Sequence, residues 1–130
     1  MTAMISLDMK KKRIRIHRST LELLNNPSNI HILINPQTNK IALCPARPDT
    51  KDSIKLQYGT DIDCELYSTE LMEQLSYLSP KIDFASTYRI IGEVIPDKGI
   101  ALFDLTDATK LDASSKAEAN DITRSVPNEY

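Results

Sequence analysis

Glycine is scarce in this sequence, with three in 130 residues, and tryptophan is absent. So few glycines exclude a phosphate-cradling loop, and no GxSxG, P-loop or GxGxxG pattern is present. The two cysteines, Cys44 and Cys64, form no CxxC pair, and His17 and His31 add no closely spaced partner, so the spacing predicts no metal site. A chain of this size with a real core does not depend on one disulfide, which favours reduced thiols in a cytoplasm. No apolar run approaches the ~20 residues that a membrane span requires. In Met1–Lys12 the basic residues follow the mildly apolar stretch, the wrong order for a secretory signal. Ser19 and Ser68 read as helix caps and not as nucleophiles, and the acidic pairs Asp61/Asp63 and Glu70/Glu73 read as a loop and a helix face. These absences predict a cytoplasmic protein that is not an enzyme, has no cofactor and has no membrane partner.

What is present is an uneven distribution of charge. Residues 1–60 carry ten basic and four acidic side chains, whereas residues 61–130 carry six basic and fourteen acidic. That division suits either a polyanion facing the first half or two halves that attract each other. The densest run is Lys10-Lys11-Lys12-Arg13-Ile14-Arg15-Ile16-His17-Arg18. Its alternation predicts a half-buried strand with Arg13 and Arg15 on one face and Ile14 and Ile16 on the other.

A short helix should follow, opened by a capping box in which Ser19 and Glu22 satisfy each other's amides and closed at Asn25-Asn26-Pro27. Two β-rich runs, Ile30–Ile34 and Ile41–Leu43, flank the turn Asn35-Pro36-Gln37-Thr38-Asn39 and predict a hairpin ended by Pro45 and Pro48. Residues 46–61 read as a polar connector with a short strand at Ile54-Lys55-Leu56. The order then repeats. A strand at Cys64–Tyr67 leads to a helix capped by Ser68, with Glu70 in its first turn and Leu71, Met72, Leu75 and Leu78 at helical spacing. A second hairpin joins Tyr88–Ile91 to Ile100–Phe103 through Pro96-Asp97-Lys98-Gly99. Ser19-Thr20 answers Ser68-Thr69, and Ile41-Ala42-Leu43 answers Ile100-Ala101-Leu102.

The strand Arg13–Ile16, the helix Leu21–Leu24 and the hairpin Ile30–Leu43 resemble the unit of the AbrB-type transcription factors. The MraZ branch, which carries two such units in one chain, is similar to the whole pattern. The resemblance implies an α+β, β-rich fold in which two β–α–β-hairpin units pair as an intramolecular pseudo-dimer, an AbrB-like swapped-hairpin barrel. It also implies DNA as partner. The family's adjacent helix arginines fall on Leu21 and Glu22 here, so the resemblance bears more on the fold than on DNA contact. The expected organisation is a basic arm (1–12), one domain (13–105) made of repeats 13–45 and 62–105 joined by the connector 46–61, and a polar mobile tail (106–130).

Two functions follow from these residues. In the first, the chain is a nucleic-acid-binding regulator with Lys11, Lys12, Arg13, Arg15 and Arg18 along the phosphates. In the second, it is a protein–protein interaction module that docks a partner through exposed hairpin edges or the acidic second half, with the basic strand a solvated face or a match for that half. The sequence does not specify oligomeric state. The two readings differ in where the basic side chains lie.

Overall fold

A computed structural model describes residues 1–58 and 63–111. Nine strands form one antiparallel sheet: β1 (Thr2–Asp8), β2 (Arg13–His17), β3 (Asn29–Asn35), β4 (Lys40–Ala46), β5 (Ile54–Lys55), β6 (Asp63–Tyr67), β7 (Thr87–Ile95), β8 (Ile100–Asp104) and β9 (Thr109–Leu111). Two helices, α1 (Arg18–Leu23) and α2 (Thr69–Leu78), follow β2 and β6. The strand order is β5-β3-β4-β8-β7-β1-β2-β6, with β9 beside β7. The sheet curls as a half-barrel, so the β-rich α+β class read from the sequence holds. No helix among the described residues is long and apolar enough to cross a membrane.

Alternation explains the core. Ile14 and Ile16 are fully buried while Arg13 and Arg15 face outward, as their spacing predicts. The helices contribute Leu21, Met72 and Leu75 to the same buried cluster, and Leu24, the residue that caps the end of α1, joins them. Both hairpins form, and Asn39 and Gly99 take the positive φ values of 56° and 64° that their turns need. Asn25 likewise ends α1 at φ 64°.

Four expectations require correction. Residues 1–12 are not an arm, because Thr2–Asp8 is an internal strand between β2 and β7. Its Ala3, Ile5 and Leu7, with Met9 just beyond, are buried at 1% exposure or less. Ser19 does not cap α1. The chain passes from β2 into the helix without a loop, so His17 is the cap and its Nδ1 accepts from the Ser19 amide at 3.3 Å. Thr20 then turns inward, accepting from the Met4 amide at 2.8 Å and donating to its carbonyl at 3.3 Å, which ties α1 to β1. In the stretch 106–130 the polar segment Thr109–Leu111 pairs with Thr87–Arg89, and residues 112–130 lie outside those described. Finally, β4 passes Pro45 and continues to Ala46.

The two Ile-Ala-Leu segments are one residue out of phase. Ile41 and Leu43 are buried, and their counterparts in burial are Ala101 and Phe103. Because side chains alternate between faces, a one-residue offset exchanges inside for outside. In contrast, the second helix starts as read: the Ser68 hydroxyl accepts from the Leu71 amide at 3.1 Å.

Candidate nucleic-acid interface

The basic residues are distributed over the β1–β2 turn, the outer face of β2 and the start of α1. Lys11 is exposed in the turn. The Lys12 ammonium lies over the Phe84 ring, 4.9 Å from its centroid, and the Arg18 guanidinium lies over Tyr58 at 5.5 Å. Tyr58 is itself held by donating its hydroxyl to the Pro27 carbonyl at 2.7 Å.

Arg13 and Arg15 do share a face, and it carries acids. The register of β2 against β6 sets Arg15 opposite Glu65, Arg13 opposite Tyr67 and His17 opposite Asp63. Arg15 donates to Glu65 Oε2 through Nη2 at 2.7 Å and through Nε at 3.1 Å. Arg13 Nη1 reaches the same oxygen at 3.1 Å, and its Nη2 lies 3.3 Å from Asp8 Oδ2 on β1. Asp63 lies 3.8 Å from Arg15 Nε. Charge-assisted bonds of this length are the stronger class of hydrogen bond. The same outer row continues across the sheet through Ser6 to Arg89, since Ser6 pairs with Arg15 on one side and with Arg89 on the other. The outer face therefore carries Arg13, Arg15 and Arg89 against Asp8, Asp63 and Glu65.

Sequence reasoning missed Glu65, Asp63 and Asp8 as partners of the basic strand. A signal existed in the alternation Asp63-Cys64-Glu65-Leu66-Tyr67, which puts both acids on the face opposite two buried residues. What no local pattern could supply is the register that brings residues about fifty positions apart into contact.

The hydrogen bond from Arg15, reinforced by the charges of Arg13 and Lys11, holds the Glu65 carboxyl below its ordinary value of about 4.5. A depressed carboxylate stabilises the fold above its unfolded value, and the contribution disappears as pH falls through the folded one. The Glu65 side chain is 35% exposed, so solvent screening holds the effect to the range of surface pairs. Glu65→Gln is expected to destabilise the protein at pH 7 by roughly 0.2–1 kcal/mol. The gap from wild type should close in thermal melts carried out well below pH 4. A gap that stays constant across that range would mean that the ion pairs contribute nothing.

Comparison of the chain with family models, with curated proteins and with solved structures finds no match.

Proposed function

We propose that this chain is a protein-interaction module built as a fused pseudo-dimer of two β–α–β-hairpin units, and that its basic strand is structural. The observation that carries the reading is the commitment of Arg13 and Arg15 to Glu65, Asp8 and Asp63. Affinity for a nucleic-acid backbone comes from releasing the counterions of phosphates, which requires cations that are not already neutralised. A phosphate on this face would have to displace carboxylates held at 2.7–3.3 Å. A module also needs a surface to offer. Leu33, Tyr67, Tyr77, Phe84 and Ile91 are all more than two-fifths exposed.

The pseudo-dimer part rests on how the strands exchange. The leading strand of the first unit, β1, pairs with the hairpin strand β7 of the second, and β5 pairs with β3 in return. The strands that enter the helices pair with each other, β2 with β6, and so do the two last hairpin strands, β4 with β8. The first of these pairings is centred on Arg15 opposite Glu65, and in the second the middle pairs are Ile41 opposite Phe103 and Ala42 opposite Leu102. In a dimer of identical units a residue at such a centre faces its own copy, so an arginine there would meet an arginine. A fused pair can place opposite charges at the centre, and this one does. This pattern of pairing supports the reading of an AbrB-like swapped-hairpin barrel.

The nucleic-acid reading keeps the exposed Lys10 and Lys11, so it is tested directly. In a fluorescence-anisotropy titration with mixed-sequence duplex at low salt, where attraction is strongest, no binding is expected. Binding that weakens with slope about −0.9 per phosphate, and a slope that flattens by roughly two units in Arg13→Gln/Arg15→Gln, would overturn the proposal and restore the regulator reading.

A further inference from the structure

The helices of the two units differ in length: α1 has six residues and α2 has ten. Their buried residues correspond, Leu21 with Met72 and Leu24 with Leu75. Matched in this way, α1 ends where α2 has reached Gln74, and α2 continues through Leu75, Ser76, Tyr77 and Leu78. The added turn extends beside the β3–β4 turn and forms one wall of a groove of about 510 Å³. Ile34, Pro36, Tyr77 and Leu78 supply its apolar surface, and Glu70 and Glu73 its rim. Glu70, Glu73 and Tyr77 recur at helical spacing and share the outward face, opposite the buried Met72 and Leu75. Tyr77 is 89% exposed, the most exposed of the large apolar side chains among the described residues.

The electrostatics here are the reverse of those at the basic strand. No lysine or arginine occurs in α2. Neither Glu70 nor Glu73 makes an ion pair among the described residues, whereas Glu65 is held by two arginines. Uncompensated acids beside an apolar surface favour a ligand with cations flanking an apolar stripe. From Glu70 to Leu78 the wall is about 12 Å long at 1.5 Å per residue, room for two turns of a facing helix. A volume of this size also suits a few buried apolar side chains.

The geometry points to this groove as the docking site for a basic amphipathic helix of a partner protein. Leucine- or isoleucine-type side chains would sit against Ile34, Tyr77 and Leu78, with Lys or Arg beside Glu70 and Glu73. The assignment rests on the interaction-module reading and names the chemistry of its partner.

The test uses the full chain and a fluorescein-labelled 14-residue peptide of leucine and lysine, with leucines at i, i+3, i+4 and i+7. A second peptide with glutamate in place of lysine is the control. The expected result is salt-sensitive binding of the lysine peptide alone, with chemical-shift changes confined to α2 and the β3–β4 turn. Tyr77→Ala should weaken it by at least about tenfold, as loss of a central anchor does, and Glu70→Gln/Glu73→Gln should weaken it by a few-fold and flatten its salt dependence. Their thermal midpoints should remain those of the wild type, because all three side chains are exposed. Absence of binding, shifts elsewhere on the molecule, or affinity unaffected by either variant would overturn the assignment. So would a concentration-dependent dimer in sedimentation that Tyr77→Ala dissolves, since the occupant would then be a second copy. The duplex titration separates this failure from that of the parent reading. A peptide that does not bind, with a duplex that does not bind either, removes the groove and leaves the module. A duplex that binds with the slope stated above removes the module itself.

Discussion

Ile5→Ala is expected to destabilise the entire chain by about 2–5 kcal/mol, in one cooperative transition. Ile5 is fully buried in β1 and lies between Ile16 of β2 and Ile90 of β7, both also fully buried. The alanine would leave a cavity where β1 lies between β2 and β7, and neither neighbour can collapse into it without moving a paired strand. Urea denaturation followed by far-ultraviolet circular dichroism and by tyrosine fluorescence checks this, since Tyr88 is buried in β7, next to β1 in the sheet. Coincident shifts of both signals are expected. A substitution in a mobile arm would leave both unchanged, and two independent units would give two transitions with only one displaced. Lys10→Ala, exposed in the turn that follows, serves as the neutral control.

The legibility of this chain depends on the range of the interaction that decides each feature. Hairpins at Asn29–Ala46 and Thr87–Asp104 are specified by turn chemistry a few residues long, so their signals survive in the sequence. The Ser68 cap and the spacing of Met72 and Leu75 are equally local. The strand β1 was legible as well: Ala3, Ile5, Leu7 and Met9 alternate without a break. The adjacent lysines and the outward-facing Met4 hide a period of two that is present. By contrast, Thr109–Leu111 joins the sheet by pairing its backbone with β7, with Lys110 also held 3.3 Å from Asp83 Oδ2, and nothing in Thr-Lys-Leu records that register.

The phase of the repeat and the fate of the basic strand belong to a longer range. The identity between Ile41-Ala42-Leu43 and Ile100-Ala101-Leu102 suggested a phase that burial reverses, because the second strand buries Ala101 and Phe103 instead. For a repeat of strands, matching inside to inside outweighs matching letter to letter. The same applies to charge. The basic run is visible in nine residues, but whether it is available to a ligand depends on Glu65 and Asp63, which only the β2–β6 register supplies. The uneven charge of the two halves pointed to both readings equally, and the alternation of Asp63 and Glu65 gave their face without their partner.

Gly92→Ala should cost on the order of 3 kcal/mol, although glycine-to-alanine changes within strands often stabilise. Two effects of opposite sign compete. Alanine restricts the unfolded chain, which favours the fold by about 0.4–1 kcal/mol where the native site accepts a methyl group. Here the site does not accept one. Gly92 continues the inward series Tyr88, Ile90 and Val94 on β7, at the point where the strand's neighbour on one edge changes from β9 to β8. A Cβ built on it runs into the Leu102 carbonyl oxygen and comes within 2.7 Å of Phe103 Cδ1. The ring of Phe103, 1% exposed, fills the space that a side chain at 92 would take. Phe103 can rotate away, but the Leu102 backbone is paired with Glu93 on one side and Ala42 on the other, so moving its carbonyl disturbs both ladders. Overpacking therefore outweighs the entropic gain. Denaturation of Gly92→Ala, Phe103→Leu and the double variant tests which contact decides. The double variant should remain destabilised relative to Phe103→Leu alone, because the smaller side chain relieves the ring and leaves the carbonyl. A Gly92→Ala protein as stable as wild type, or one fully rescued by Phe103→Leu, would show that the close approach of β8 to β7 is not what requires glycine at this position.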